Sequence, residues 1–159
     1  MATQGNSVLN EGIPEIKDAF VVMVKTEWNA HIIDALEAGC KAVLDANGVQ
    51  CATVVVPGAF EVPFGIRSYH EQALRKPDAY VALATIIRGD TPHFEYVCQG
   101  ITNGIVQLNL LLEVPVIFGV LTVENEQQAI ERIGGVHGHK GEEAGVAAIK
   151  MIAFNRSLR

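Results

Sequence analysis

The sequence predicts an α/β fold of three layers, a four-stranded parallel β-sheet between two layers of helices. Four near-continuous apolar runs rich in β-branched residues recur along the chain, as strands buried on both faces require. Each run is followed by apolar residues at helical spacing. With 159 residues and 49% apolar side chains, the chain is long enough for one domain over residues 1–159 with one hydrophobic core.

The predicted strands cover residues 19–24, 52–56, 80–87 and 114–121. The helix after the first strand has one apolar stripe, formed by Ile32, Ile33, Leu36, Cys40, Val43 and Leu44. We expect it to end at Asn47-Gly48, where glycine can adopt the left-handed conformation. Further helices are predicted over residues 61–74, 92–112, 124–133 and 141–156.

Strands that each lead through a helix to the next strand imply parallel pairing with right-handed crossovers and helices on both faces of the sheet. The predicted architecture is therefore flavodoxin-like. In such sheets ligands bind at the carboxyl ends of the strands. This rule points to residues 26–29, 57–61, 87–93, 122–125 and 134–141, which hold most of the chemically interesting side chains.

The third helix is apolar on two sides. One stripe consists of Val97, Ile101, Ile105, Leu108 and Leu112. Leu110 and Leu111 stand on another side of the helix. This pattern fits either a subunit interface or a helix with core contacts on both sides.

Composition excludes several classes of protein. A formal charge of −6, a pI near 5.3 and the lack of a basic stripe argue against nucleic-acid binding. The three cysteines, Cys40, Cys51 and Cys98, form no C-x-x-C pair and lie within apolar runs, so we expect buried thiols in a reducing cytoplasm. The sequence shows neither a signal peptide nor an apolar run long enough to span a membrane.

The most informative segment is the predicted strand-to-helix connection at residues 87–95. Asp90 or Thr91 is a candidate helix cap, and Pro92 suits the first helical turn. The unpaired amides of that turn favour a phosphate or a developing oxyanion. His93 stands there as a candidate proton carrier, although a histidine at a helix start without any task is about equally common.

Metal and nucleotide sites receive little support. His93 and Glu95 match half of a zinc deaminase signature, but its cysteine half is missing. His137 and His139 in a glycine-rich loop lack a third ligand type nearby, so we predict no metal. The glycines at 134–141 lack the Gly-Lys-[Ser/Thr] ending of a phosphate loop, and no G-x-G-x-x-G follows the first strand.

Other candidate residues have an ordinary structural explanation when taken singly. Trp28 can stack on a planar heterocycle, but core packing is the commoner role of an isolated tryptophan. Residues 57–63 predict a tight turn with two prolines. Arg132 and Lys140 can hold a phosphate or simply carry solvated surface charge.

Taken together, six motifs resemble the 6,7-dimethyl-8-ribityllumazine synthase family in order and spacing over roughly residues 18–157. They are Trp28-Asn29, PGAFEVP at 57–63, IRGDTPHFEYV at 87–97, PVIFGVLT at 115–122, QAIER at 128–132 and KGEEA at 140–144. The resemblance implies a transferase of riboflavin biosynthesis. Its members condense 5-amino-6-(D-ribitylamino)uracil with 3,4-dihydroxy-2-butanone 4-phosphate, releasing phosphate and water. No cofactor or metal is implied.

The resemblance also implies a role for each matching residue. Trp28 would stack on the pyrimidine beside Asn29, and His93 would move protons. The ribityl chain would be held by Ala59, Phe60 and Glu61, the heterocycle edge by Thr85, Ile86 and Ile87, and the butanone phosphate by the main chain of Asp90 and Thr91. Phe118, Arg132 and Lys140 would come from a neighbouring subunit, with Arg132 on the phosphate.

The same resemblance implies a homo-oligomer, with pentamers expected and sixty-subunit capsids favoured by the short loop at 134–141. Residues 1–17 are expected to form an N-terminal extension that contacts a neighbouring subunit. Three positions depart from the common pattern: Trp28 where phenylalanine is frequent, Asp90 beside the phosphate pocket, and His139 where asparagine is common. Trp28 suggests riboflavin binding, and a flavin-binding or cage protein with little turnover is the alternative function.

Overall fold

The computed structural model describes residues 11–159, whose central element is a parallel sheet of four strands. These are β1 (Phe20–Thr26), β2 (Gln50–Val56), β3 (Ala79–Ile87) and β4 (Val116–Val123). Their order across the sheet is β2-β1-β3-β4, and every neighbouring pair is parallel. The predicted three-layer α/β fold with a four-stranded parallel sheet is confirmed.

Five helices and a small hairpin complete the described part of the chain. The helices are α1 (Ala30–Ala46), α2 (Val62–Gln72), α3 (His93–Leu111), α4 (Glu126–Ile130) and α5 (Lys140–Ser157). A 3₁₀ turn at Ala59–Glu61 precedes α2, and β5 (Ile133–Gly135) pairs with β6 (Gly138–His139). No helix within residues 11–159 has both the length and the apolar character needed to cross a bilayer.

The two faces of the sheet carry separate cores because successive strand side chains point in opposite directions. On β3, Val81 and Leu83 pack with α1 and α5, whereas Tyr80 and Ala82 pack with α2 and α3. All four side chains are fully buried, which explains why this strand reads as an uninterrupted apolar run. Burying one large aliphatic side chain contributes about 1.5–3 kcal/mol to folding.

Several predicted boundaries need correction. The fourth predicted helix, 124–133, covers only Glu126–Ile130 in the structure, and it starts after Asn125 because that side chain caps it by accepting a hydrogen bond from the Gln128 amide at 3.0 Å. The predicted loop at 134–141 forms most of the β5–β6 hairpin and the start of α5. The predicted end of α1 is confirmed, with Gly48 in the left-handed region at φ 68°.

The prediction of three buried thiols is right for Cys40 alone. Cys40 is fully buried between α1 and the sheet, and this burial raises the pKa of its thiol to about 12. Cys51 is half-buried because β2 is an edge strand, and Cys98 is half-buried on α3. All three cysteines are free.

Helix α3 buries one side and exposes the other. Ile101, Ile105 and Leu108 face the core, whereas Leu110 and Leu111 are 80% and 79% exposed. Core contacts on both sides are therefore excluded within the protomer. The alternative of a subunit interface on this apolar face stays a prediction.

The predicted extension at 1–17 is described only in part, because residues 1–10 lie outside the described residues. Residues 11–17 lie against α5 of their own chain. Lys150 donates to the Glu11 carbonyl at 3.0 Å, and Arg156 donates to the Lys17 carbonyl at 2.6 Å.

Candidate functional site

The carboxyl ends of β1, β2 and β3 meet at one edge of the sheet, and the loops that follow them border the region that we call the crevice. The Glu27 amide donates to the Val56 carbonyl at 3.0 Å, and the Trp28 amide donates to the Pro57 carbonyl at 3.4 Å. The backbone after β1 is thereby tied to the backbone after β2. The Trp28 side chain is 73% exposed, so core packing is excluded as its role within the protomer.

Asn29 ties the same loop to the other neighbouring strand. Its side-chain amide donates to the Thr85 carbonyl at 3.1 Å, across from β1 to the end of β3. Its backbone is left-handed, at φ 60° and ψ 41°, and its carbonyl accepts hydrogen bonds from the Ile32 and Ile33 amides at the start of α1. Trp28 therefore projects from a backbone fixed on both sides. The predicted contact between Asn29 and substrate stays a prediction.

The loop after β2 is a closed turn. The Glu61 amide donates to the Gly58 carbonyl at 3.2 Å, and the Glu61 carboxylate folds back so closely that a Cβ on Gly58 would lie 3.0 Å from it. Phe60 is 61% exposed and rests on α3 at Gly100, where a Cβ would come within 2.5 Å of the ring. Glycine at position 100 thus lets the aromatic ring lie flat against the helix.

The last residues of β3 extend beyond its pairing with β1. Pairing of β1 with β3 ends at Lys25 and Leu83, whereas β4 stays paired with β3 as far as Ile87. The side chains of Thr85 and Ile86 are buried, at 5% and 8% exposure. Ile87 is half-buried, and the predicted contact of residues 85–87 with the heterocycle edge stays a prediction.

The connection from β3 to α3 presents the amino end of a 19-residue helix. The prediction that Asp90 or Thr91 caps this helix is wrong, since Pro92 occupies the cap position and no side chain caps the helix. The His93 amide has only a long contact of 3.4 Å with the Thr91 hydroxyl. His93 is the first residue of α3, and its side chain is exposed, as are those of Asp90 and Thr91. The amides of this turn are suited to an anion.

Arg88 is a residue of this connection to which the sequence pattern gave no role. Its guanidinium donates to Glu95 in the first turn of α3 and, at 2.6 Å, to Glu124 after β4. The guanidinium carbon also lies 4.2 Å from the centre of the Phe94 ring. A signal was present in the sequence, since an arginine follows an apolar strand directly and a glutamate stands seven residues later.

Phe118 lies far from the crevice of its own protomer. It is paired with Ala82 in the middle of the sheet, five residues before the pair of Val123 with Ile87. Five residues of strand span about 16 Å. Phe118 is 44% exposed and lines a cleft of about 390 Å³ between β4 and α3, together with Cys98, Thr102 and Val106.

Arg132 and Lys140 belong to the opposite face of the sheet. They flank the β5–β6 hairpin, where the Lys140 amide donates to the Arg132 carbonyl at 2.8 Å. The Arg132 guanidinium donates to the Gln128 carbonyl, and the Lys140 ammonium donates to Glu143 at 2.6 Å. His139 packs on Gly39 of α1, which fixes the hairpin on the side of α1 and α5. These contacts do not join the two cations to the crevice.

Thus the structure places Trp28, Asn29, residues 59–61, residues 85–87, Asp90, Thr91 and His93 at the carboxyl edge of the sheet. It leaves Phe118, Arg132 and Lys140 elsewhere on the protomer. The fold and this arrangement define a flavodoxin-like α/β protein, a class in which ligands bind at the carboxyl edge of the sheet.

Comparison with known proteins identifies the family. Residues 18–156 match the family model for 6,7-dimethyl-8-ribityllumazine synthase. Proteins of that name from Porphyromonas gingivalis and Parabacteroides distasonis are 45% and 42% identical, over 92% and 90% of this chain and 91% and 90% of their own lengths. The protein of that name from Christiangramia forsetii is 41% identical over all of this chain and 98% of its own length. The chain belongs to the 6,7-dimethyl-8-ribityllumazine synthase family.

Proposed function

We propose that this chain is a transferase of riboflavin biosynthesis that condenses 5-amino-6-(D-ribitylamino)uracil with 3,4-dihydroxy-2-butanone 4-phosphate. The products are 6,7-dimethyl-8-ribityllumazine, phosphate and water. Membership of the family supports this reaction. The observation that carries the proposal is that the exposed indole of Trp28, after β1, and the amino end of α3, bearing His93 after β3, lie at the same carboxyl edge of the sheet.

The pyrimidine is assigned to the part of the crevice formed by the ends of β1, β2 and β3. The Trp28 indole supplies a flat apolar surface for stacking, and residues 85–87, beyond the last pair of β1 with β3, are assigned to the heterocycle edge. The turn at Ala59, Phe60 and Glu61 is assigned to the ribityl chain, whose hydroxyl groups suit the Glu61 carboxylate.

The butanone phosphate is assigned to the amino end of α3. The backbone at Asp90 and Thr91 leads into the unpaired amides of the first turn, which favour a dianion. His93 stands in the same turn, in a position to carry protons during imine formation, loss of phosphate and ring closure. A primary amine and a ketone react without a covalent catalyst, so holding the two substrates together supplies most of the acceleration.

We further propose that the site is completed by a neighbouring subunit. Phe118 is 44% exposed and lies far along β4 from the crevice of its own protomer, while Arg132 and Lys140 are half-buried beside the β5–β6 hairpin. The exposed apolar side of α3, with Leu110 and Leu111, supports an assembly of protomers. A homopentamer is the proposed unit, and a sixty-subunit capsid is the proposed larger assembly. The proposed location is the cytoplasm.

A flavin-binding or cage protein with little turnover is the weaker alternative, because the relatives carry the name of the enzyme. Riboflavin binding beside turnover is supported by the exposure of Trp28. The indole surface is wide enough to stack on an isoalloxazine ring as well as on a pyrimidine.

The direct test of the proposed function mixes the purified protein with both substrates. Lumazine fluorescence and liberated phosphate are followed together, and each substrate is omitted in turn as a control. We expect both products in equal amounts. An assembled protein that forms neither product would overturn the proposal, and binding of riboflavin without turnover would favour the alternative.

A further inference from the structure

Arg88 joins three elements that surround the amino end of α3. It follows β3 directly, its amide donates to the Val123 carbonyl at 2.9 Å, and its guanidinium reaches Glu95 on α3 and Glu124 on the loop after β4. The guanidinium also covers the Phe94 ring. One side chain thus connects the first turn of α3, the end of β3 and the loop after β4.

The segment around this helix start is rich in carboxylates. Asp90, Glu95, Glu124 and Glu126 all lie on the two loops and helix ends that border it. Arg88 pairs with two of these four groups, and its hydrogen bond lowers the pKa of Glu95 below the ordinary value. Without Arg88, two unpaired negative charges would stand beside amides that are suited to an anion.

We propose that Arg88 is a positioning residue for the phosphorylated substrate, because it neutralises Glu95 and Glu124 and keeps the anion-binding end of α3 free of their negative charge. This inference rests on the proposed function of the crevice. The guanidinium is engaged by the two glutamates, so it acts through them and does not contact the substrate. A planar guanidinium can serve two carboxylates at once from one fixed position, which a lysine ammonium cannot do equally well.

The proposal makes a prediction about the KM values of the two substrates. In Arg88→Met, the KM for butanone phosphate should rise about tenfold, while the KM for the ribitylaminouracil should stay within a factor of two. The rise should shrink at high ionic strength, because both freed carboxylates are exposed and are screened by salt. Turnover at saturation should fall less than threefold, because His93 is left in place.

Charge removal separates the electrostatic role from a merely structural one. Adding E95Q and E124Q to R88M should return the KM for butanone phosphate to within threefold of the wild-type value. If Arg88 acted only as a brace between the three elements, the triple variant would stay as impaired as R88M. Arg67→Met is the matched control, since Arg67 is an exposed arginine paired with Glu71 on α2, and its KM values should be unchanged.

A further double variant keeps the test decisive if R88M fails to assemble. E95Q with E124Q, in a protein that retains Arg88, should lower the KM for butanone phosphate about threefold, because the guanidinium is then uncompensated. An unchanged or raised KM in this variant overturns the proposal, as does an unchanged KM in an assembled R88M. Lumazine formation by the wild-type protein in the same assay tests the proposed function separately, so the two failures are distinguishable.

Discussion

The side-chain amide of Asn29 donates a hydrogen bond to the carbonyl of Thr85 at 3.1 Å and thereby joins the end of β1 to the end of β3. Asn29 does this from a left-handed backbone, which costs most residues about 1–2 kcal/mol and which asparagine tolerates better. Trp28 is the preceding residue. The hydrogen bond between Asn29 and Thr85 therefore helps to fix the backbone from which the exposed indole projects.

Two substitutions of Asn29 separate the effect of its side-chain hydrogen bond from the effect of its left-handed backbone. Asn29→Gly keeps the left-handed backbone but removes the donor, so the KM for the ribitylaminouracil should rise severalfold, as expected for one lost hydrogen bond of about 0.5–1.5 kcal/mol. Asn29→Ala should show the same rise and should also lose about 1 kcal/mol of stability, because alanine resists the left-handed region. Steady-state kinetics and urea unfolding at equal protein concentration measure the two effects. A wild-type KM in Asn29→Gly would argue against this positioning role.

His93 is expected to assist the reaction without being indispensable. Since proximity supplies most of the acceleration, His93→Ala should lower turnover about 10²-fold, at the lower end of the range for acid–base assistance. Single-turnover formation of lumazine measures the effect, and size-exclusion chromatography checks the assembly. Complete loss of activity in a correctly assembled variant would contradict an assisting role.

Trp28 is expected to bind riboflavin by stacking. It is the single tryptophan of the chain, so quenching of intrinsic fluorescence reports on it directly. Trp28→Ala should weaken riboflavin binding by about 1–3 kcal/mol, the usual contribution of an aromatic stacking contact. Trp28→Phe should weaken the binding less, because it keeps an aromatic ring. Flavin fluorescence measures the binding of both variants. A wild-type protein that is not quenched by riboflavin would remove the flavin hypothesis.

The contact between α1 and α5 should not tolerate a methyl group at Gly141. A Cβ there would collide with the Leu36 carbonyl oxygen, and backbone cannot yield as a flexible side chain can. Gly141→Ala should therefore lower stability by about 1–3 kcal/mol, as overpacking does. Gly89→Ala is the matched control, because a Cβ there meets nothing within 4 Å, and it should change stability by less than about 0.5 kcal/mol. Urea unfolding of both variants tests the difference, and equal stabilities would refute it.

The sheet was largely predictable because buried parallel strands carry a strong local signal. The apolar runs located β1 and β3 to within one or two residues at each end. The strand β4 begins two residues later than predicted, because Pro115 has no amide to donate and the Val116 amide is capped by the Asn109 side chain at 2.8 Å. It continues to Val123, whose carbonyl accepts from the Arg88 amide. Such long-range partners have no signature in a local pattern.

The candidate site was only partly predictable for the same reason. The rule that ligands bind at the carboxyl ends of strands placed Trp28 and His93 at one edge, and the structure confirms their placement. The position of the hairpin between Arg132 and Lys140 depends on the packing of His139 against Gly39, about a hundred residues away in the chain. The ties made by Arg88 and Asn29 likewise depend on tertiary contacts.

We propose that two protomers share each site, with His93 from one and Arg132 from its neighbour. Arg132→Ala should weaken butanone phosphate binding by about 1.5–3 kcal/mol, the range for a hydrogen bond to a charged group. Its kinetics alone do not reveal which subunit supplies the guanidinium. Assemblies that mix the two variants reveal which subunit supplies it. Arg132→Ala protomers retain His93 and His93→Ala protomers retain Arg132, so a site with both residues can form only between two different protomers.

The most direct measurement is therefore the activity of His93→Ala and Arg132→Ala protomers unfolded together, reassembled in equal amounts and assayed at low butanone phosphate. If sites are shared between neighbours, about a quarter of them in a random mixture contain both intact residues, and activity should rise to about a quarter of the wild-type value. If each site is built from one chain, the mixture will show only the average of the two impaired parents, and that result would contradict a shared site.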